Sequence, residues 1–463
     1  MTLVLPDRFD VLEKLQKPEK KKVFVVSLGC PKNRVDLELM IGSLSRDGHE
    51  LTDNPDNADV YLVNTCAFIE SAKEESIDAI LEMAGHKARV DGRRLVVTGC
   101  MAQRYGHELA AEMPEVDQFL GTNEFKRINA AVAGTLPDRE YISYGSALYT
   151  ADELRPNTVR GGSAYVKISE GCNRTCSFCI IPKIRGKQVS RPVDDIVREA
   201  RILGAGGVRE ISLIAQDLTS YGVDFNNRDA LCDLLDKLED VDGIEWVRLH
   251  YAYPWNVSDR LIDILGRGGK VVPYVDMPLQ HISDRMLKAM RRSTRRQSQE
   301  EIIDRLRAIP GMVLRTVFIT GFPGETDADF RELHDWVRKV EFDHVGVFTF
   351  SPEENTEAVG LPDPVPPDVA AERRDALMEL QSGISRRRNE ARIGTTMRVL
   401  VDGVSEEHEY VLEGRHYGQA LDIDGVVYLS FDDGADPVLP GSFVDVTIDD
   451  ATEYDLVGVV SAK

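Results

Sequence analysis

The sequence predicts an α/β protein in three parts: an amino-terminal parallel α/β domain, a partial β/α barrel and a small carboxyl-terminal β-barrel. Two series of β-rich runs alternating with helical patterns predict the first two parts, and short β runs punctuated by Gly and Asp predict the third. At 463 residues the chain exceeds what a single ordinary core serves, so it divides into domains.

The first series runs from Val23 to about Gly121. Strands at VFVVSL, DVYLVN, RLVVTG and VDQFLG are separated by helices near Asn33–Asp47, near Glu70–Glu82 and after Met101. Cys30, Cys66 and Cys100 each follow one of the first three strands. In open parallel sheets the loops after the strands share one edge, where ligands bind, so cysteines some 35 residues apart converge. The helix after Cys30 adds amide dipoles that favour negative charge.

A loosely patterned connector from Pro137 to Asn157 precedes the second series. Its strands are AYVKIS, VREISLI, EWVRLH, VPYVDM, VLRTVFI and HVGVFTF. Six strands fall short of the eight of a full β/α barrel, so the sheet is an open, partial one. A Pro-rich segment, Leu361 to Pro367, leads into a helix bearing Arg373, Arg374, Arg386, Arg387, Arg388 and Arg392. The tail then carries MRVLVD, VVYLS and FVDVTI. Domain limits follow at 21–137, 158–389 and 391–463.

Composition narrows the function classes. The formal net charge of −22 disfavours indiscriminate binding to nucleic acid or anionic membranes. Thr395 to Lys463 holds fifteen Asp or Glu against three Lys or Arg. Such a tail is a poor phosphate binder and either a docking face for a basic protein or only a solvated surface. MTLVLPDRFDVLEKL has no export-signal pattern, and no apolar run of about 18 residues occurs, which predicts a soluble, cytoplasmic protein without a membrane partner. Seven cysteines, an odd number, argue for reduced thiolates serving metal.

Six of those seven form two triplets, Cys30/Cys66/Cys100 and Cys172/Cys176/Cys179. A 4Fe-4S cluster normally takes four thiolates, so three leave one iron open to a substrate, cofactor or sulfur atom. The second triplet is a CxxxCxxC pattern in SEGCNRTCSFC, within one loop after AYVKIS. A zinc site would want four close ligands, and no fourth Cys or His is near.

That spacing resembles the radical S-adenosylmethionine (SAM) superfamily, in which the open iron chelates SAM and the reduced cluster cleaves it to a 5'-deoxyadenosyl radical. The resemblance implies SAM contacts at Phe178, toward adenine, and at Gly207 and Glu210 of GGVRE, toward the methionine amino group. A core Phe and an ordinary Gly-rich turn are the alternative readings. GFPGET (Gly321–Thr326) lacks the Lys and spacing of a P-loop and fits a shaped turn at the SAM site.

SLGCPKNRVDLE, VNTCAF, VVTGC, CSFCIIPKIRG, MPLQHISD, RTVFITGFPGET and SPEENTEA together resemble the methylthiotransferase family, across all three parts. The resemblance implies a cluster domain, a radical SAM core and a TRAM β-barrel. It also implies two 4Fe-4S clusters on the two triplets, with Cys172, Cys176 and Cys179 catalytic and the auxiliary cluster supplying sulfur. SLGCPKN and SPEENT resemble the branch that methylthiolates an aspartate β-carbon of ribosomal protein S-twelve. A tRNA methylthiotransferase and a noncatalytic iron–sulfur electron carrier are the alternatives.

A radical route suits a carbon whose hydrogens no side-chain base removes. It needs an electron donor such as flavodoxin or ferredoxin, and a sulfur donor, and the enzyme is expected to be a monomer. Gln216 and Asp217, beyond the second barrel strand, lie where barrel sites form, and a strand-end cap is an equal reading of the pair. Gln280 and Arg315 sit in family-like motifs as SAM contacts; the alternatives are backbone satisfaction for Gln280 and a core ion pair for Arg315. Cys232 reads as a buried structural thiol, and Arg386–Arg388 as a solvated face.

Overall fold

The computed structural model describes residues 20–405, 407, 409, 411–432 and 438–460. The amino-terminal stretch read above for export signals lies outside them, as do Glu406, Asp433, Asp436 and Lys463 of the acidic tail. The chain divides into two compact units, Met1–Tyr144 with Glu153–Pro156, and Gly145–Asp152 with Asn157–Lys463.

The first unit is a six-stranded sheet, ordered β2-β1-β3-β4-β5-β6 and parallel throughout. Its strands are β1 (Lys22–Ser27), β2 (Glu50–Thr52), β3 (Val60–Thr65), β4 (Arg94–Gly99), β5 (Gln118–Leu120) and β6 (Glu140–Tyr141). The helices are α1 (Pro31–Arg46), α2 (Glu70–Lys87), α3 (Cys100–Glu112) and α4 (Ile128–Ala133). VYLVNT of β3 is buried at every position, as a central parallel strand covered on both faces must be. Two edge strands escaped the sequence reading: β2 is short and half polar, and β6 is two residues inside the connector. The segment 153–156 rejoins this unit through Arg155, which pairs with buried Glu38.

In the second unit, β7 (Ser163–Lys167) runs into a short antiparallel pair, β8 (Ser169–Glu170) with β9 (Val189–Ser190), around the cysteine loop. The parallel sheet continues with β10 (Glu210–Ile214), β11 (Trp246–Leu249), β12 (Val271–Asp276), β13 (Val313–Thr320) and β14 (His344–Thr349). Its order is β14-β13-β12-β11-β10-β7, six strands without closure, as the strand count predicted. Helices α5 (Ile181–Arg185), α6 (Val193–Ala205), α7 (Ala230–Leu238), α8 (Asp259–Gly266), α9 (Asp284–Ala289), α10 (Arg296–Arg307), α11 (Asp327–Val340) and α12 (Pro367–Glu390) join and cover the strands.

Strand alternation sorts the two faces. Ile211, Leu213, Val247, Leu249 and Leu314 join the apolar layer with the helices. Glu210, Arg248, His250 and Arg315 therefore face the other way, on the side that also carries Trp246 and Val313.

Five strands close the terminal barrel: β15 (Thr396–Val404), β16 (Leu412–His416), β17 (Val427–Phe431), β18 (Phe443–Ala451) and β19 (Leu456–Val460). The sequence reading found three of them; LEGRH and LVGVV were too short and mixed to stand out. The barrel meets the amino edge of the parallel sheet through buried ion pairs. Glu210 joins Arg248 at 2.6 Å and Arg415 at 2.8 Å, and Arg415 joins Asp402 at 2.7 Å. The basic run on α12 is paired rather than merely solvated: Arg387 meets Glu341 at 2.8 Å and Arg388 meets buried Asp343 at 2.7 Å. Cys232 is buried on α7, as expected. No helix among the described residues is long and apolar enough to cross a membrane.

Candidate functional site

The first triplet sits where three adjacent strands end. Cys30 is the third residue after β1, Cys66 follows β3 directly, and Cys100 follows β4 as the first residue of α3. The register Ser27↔Asn64 and Thr65↔Gly99 brings these ends level. Cys30 caps α1 in extended backbone with Pro31 at the first turn, so two of the cysteines stand at helix amino termini.

One side chain ties the three loops together. Buried Asn33 donates through Nδ2 to Thr65 O at 2.9 Å and Leu28 O at 3.3 Å, and the Cys100 thiol donates to its Oδ1 at 3.4 Å. Asn64 Nδ2 in turn donates to Asn33 O at 2.9 Å. Close approach demands glycine beside two of the cysteines. A Cβ on Gly29, at φ +92°, would stand 3.1 Å from Cys66 Cβ, and one on Gly99, at φ +97°, would stand 2.6 Å from Thr65 O. Cys30 is exposed while Cys100 is buried, so the triplet has one open side.

The second triplet lies in the loop between β8 and α5. Cys172 N donates to Gly186 O at 3.0 Å and Cys179 N to Cys176 O at 3.1 Å, the latter turn folding the last two cysteines together. Ser177 anchors the loop: its N donates to Met290 O at 3.1 Å, its Oγ to Ala289 O at 2.8 Å, and its carbonyl accepts from Ala358 N. Burial pushes the Cys172 thiol up to about 11 and the Cys179 thiol up to about 12. Bare thiols in this setting hold their protons, and a bound metal displaces them.

Cations flank this loop. Arg174 N donates to Cys172 Sγ at 3.4 Å, and its guanidinium pairs with Asp217 at 2.7 Å. Arg292 donates to Cys176 Sγ at 3.8 Å. Sequence reasoning missed both arginines. Arg174 stood inside the quoted motif, and Arg292 was hidden in RRSTRR, a run that reads as surface charge.

The donor sets fit iron–sulfur clusters: each is three soft thiols at a carboxyl edge with amide or guanidinium groups beside them. Among the described residues no three His, Cys, Asp or Glu side chains converge on one metal-ion position. A cluster asks for something different, because each thiolate binds its own iron.

The remaining candidates divide. Phe178 packs edge-on to Phe322 of GFPGET, ring centres 6.4 Å apart, so the turn and the cysteine loop meet. Gln216 lies at the carboxyl edge and donates to Glu170 at 2.6 Å, while its own Oε1 is buried without a partner. Burial alone would raise the Glu170 acid, but Lys167, Arg185 and Gln216 together hold it low. Gln280 adopts φ +71°, unusual for a residue with a side chain, and its backbone bridges to β13. Asp217 accepts from Thr219 and Ser220 as well as Arg174.

Gly207 and Glu210 are a correction. Glu210 pairs in register with Ser163, at the start of β7, whereas the cysteine loop follows the end of β7. They therefore lie at the opposite edge of the sheet, and the Glu210 carboxylate is taken by Arg248 and Arg415. Arg315 follows the alternative reading, pairing with Asp276 at 2.9 Å and Asp424 at 3.3 Å.

A cysteine loop at the carboxyl edge of an open six-stranded β/α sheet defines a radical SAM enzyme, and residues 166–337 match the radical SAM superfamily. Residues 22–121 match the uncharacterized protein family UPF0004 and residues 393–460 the TRAM domain. The radical SAM methyltransferase TsrM of Kitasatospora setae shares the fold, with a TM-score of 0.53 over 73% of this chain and 74% of that one at 13% identity. The ribosomal protein uS12 methylthiotransferase RimO of Anaeromyxobacter sp. (strain Fw109-5) is 50% identical over 96% of this chain and 93% of its own. The protein of that name from Pelobacter propionicus is 46% identical over 97% and 100%. The chain belongs to the RimO family of radical SAM methylthiotransferases.

Proposed function

We propose that this chain adds a methylthio group to the β-carbon of an aspartate in ribosomal protein uS12. The observation that carries the reading is the pair of thiol triplets, each at the carboxyl edge of its own parallel sheet, in a chain related over nearly its whole length to uS12 methylthiotransferases. The domains are 21–137 for the amino-terminal domain, 158–389 for the radical SAM core and 391–463 for the TRAM barrel.

Cys172, Cys176 and Cys179 hold one 4Fe-4S cluster and Cys30, Cys66 and Cys100 a second. When bound, the clusters and SAM supply the radical and the sulfur. The chain's residues do the rest. Ser177 fixes the cysteine loop against the carboxyl end of α9, and Asn33 fixes the geometry of the other triplet. Phe178 and Phe322 provide an apolar wall beside the cysteine loop, and Gln216 and Gln280 offer amides at the same edge for SAM.

Exposed Asp422, Asp432, Asp445, Asp449 and Asp450 give the TRAM barrel an acidic surface suited to a basic ribosomal protein, setting on-rate and register. The reading further assigns a cytoplasmic monomer, a one-electron donor such as flavodoxin or ferredoxin, and a separate sulfur donor.

The test is anaerobic incubation of reconstituted enzyme, SAM and reductant with uS12 and with bulk tRNA in parallel, followed by mass spectrometry. One methylthio group on a uS12 aspartate is the expected product. Modification of tRNA alone would overturn the substrate, and two clusters without SAM cleavage would make the chain an electron carrier.

A further inference from the structure

We infer that Arg292 raises the reduction potential of the cluster held by Cys172, Cys176 and Cys179, acting as a positioning residue through Cys176. The inference rests on the proposed assignment of that cluster to those cysteines.

Arg292 is a half-buried cation whose surroundings leave it short of negative charge. Nη1 donates to Cys176 Sγ at 3.8 Å, Nη2 donates to Pro278 O at 2.6 Å, and Nε is buried with no acceptor. Among the described residues no carboxylate lies within ion-pair distance of it. Two other guanidinium groups near the loop do meet a carboxylate: Arg174 that of Asp217, and Arg185 that of Glu170, which it shares with Lys167.

The placement is also enforced. Arg292 lies 4.0 Å from the centre of the Tyr253 ring, and Arg174 lies 4.1 Å from the centre of the same ring. Two like charges sharing one ring repel each other, and only one of them has a carboxylate to offset that. Arg291, just before it, adopts φ +54°, and Arg292 N donates to Leu287 O at 2.9 Å, so the backbone turns sharply to aim this side chain. Ser293 N donates to the Tyr253 hydroxyl at 3.0 Å, locking ring and loop together.

A cation held there with an unused donor is matched by a group that carries negative charge on sulfur. A thiolate-ligated cluster gains one further negative charge when it takes up an electron. A fixed positive charge and a hydrogen bond on a ligand sulfur stabilise that reduced form more than the oxidised one, which moves the potential upward. The step is a one-electron reduction of the cluster by a one-electron donor, dithionite in the assay, with no bond made or broken.

The experiment uses full-length protein carrying Cys30→Ala, Cys66→Ala and Cys100→Ala, so that one cluster remains, reconstituted anaerobically and titrated without SAM. The reduced fraction is followed by electron paramagnetic resonance against ambient potential. Arg292→Gln should lower the reduced-to-oxidised ratio at a fixed potential about tenfold, a one-electron shift of about 59 mV. Arg292→Lys, which keeps the charge but not the forked donor, should recover part of the shift, and Arg292→Met, which also removes the charge, serves if the Gln variant fails to hold iron. A parent potential in an iron-replete Arg292→Gln or Arg292→Met protein would overturn the inference. Absence of a cluster from the parent itself would instead overturn the ligand assignment beneath it.

Discussion

The two cysteine sites solve one problem by opposite means. The first gathers its thiols from three strand ends far apart in sequence and ties them through Asn33, Asn64, backbone carbonyls and two glycines that let the loops touch. The second takes its thiols from one eight-residue loop, buries two of them deeply enough to weaken them as acids, and surrounds them with guanidinium groups and buried carboxylates. A dispersed site depends on the register of a sheet, and a contiguous one on the electrostatics of its walls. The first is therefore vulnerable to packing changes and the second to changes of charge.

The largest expected effect separates the sites outright. Cys176→Ala should abolish SAM cleavage to background and reduce bound iron by about half, leaving the amino-terminal cluster in place. Iron analysis with 5'-deoxyadenosine quantification checks both, and retained cleavage would mean that the triplets have been assigned the wrong way round.

Acid should act on the walls of the second unit. The Glu210 acid would be raised by burial alone, but Arg248 and Arg415 hold it down at about 2 against an ordinary value of 4.5. A depressed carboxylate contributes stability that is fully present above pH 4.5 and lost as the pH falls toward 2, here on the order of 3 kcal/mol. Urea unfolding of the full chain, followed by Trp fluorescence, reads this well, because Trp246, Trp255 and Trp336 all lie in the second unit. Stability flat across that window would remove Glu210 from the account.

Asn33→Ala should cost about 2–3 kcal/mol, since Thr65 O and Leu28 O lose their buried donor. It should also deplete iron from the first triplet while SAM cleavage persists. Smaller again is Gly99→Ala, about 1–3 kcal/mol from its positive φ and the clash with Thr65 O. The same change at Gly207, with φ +94° but open space, should cost only the conformational part, about 1 kcal/mol. Equal losses at the two glycines would show that the close approach at Gly99 does not matter.

The contrast also explains what the sequence disclosed. The loop of Cys172, Cys176 and Cys179 is legible because its spacing is local. Cys30, Cys66 and Cys100 are legible only once the strands before them are recognised, and those strands are long, apolar runs. Strands of two or three residues, such as Glu140–Tyr141, draw their existence from a neighbour already in place and leave no pattern of their own. GGVRE reads correctly as the opening of its strand, and its assignment to SAM fails because in a parallel sheet that end lies away from the cysteine loop: Glu210 opens β10 where Gln216 follows it. Arg292 was unreadable because its importance comes from what it lacks, a carboxylate, and that is a fact of three dimensions.

The most direct test of the division of labour is one reaction with Cys66→Ala, SAM, reductant and uS12, in which 5'-deoxyadenosine and methylthiolated uS12 are both measured. The account predicts continued formation of 5'-deoxyadenosine with no methylthio product. Methylthiolated uS12 from this variant, or loss of 5'-deoxyadenosine along with it, would contradict the separation of radical generation from sulfur transfer.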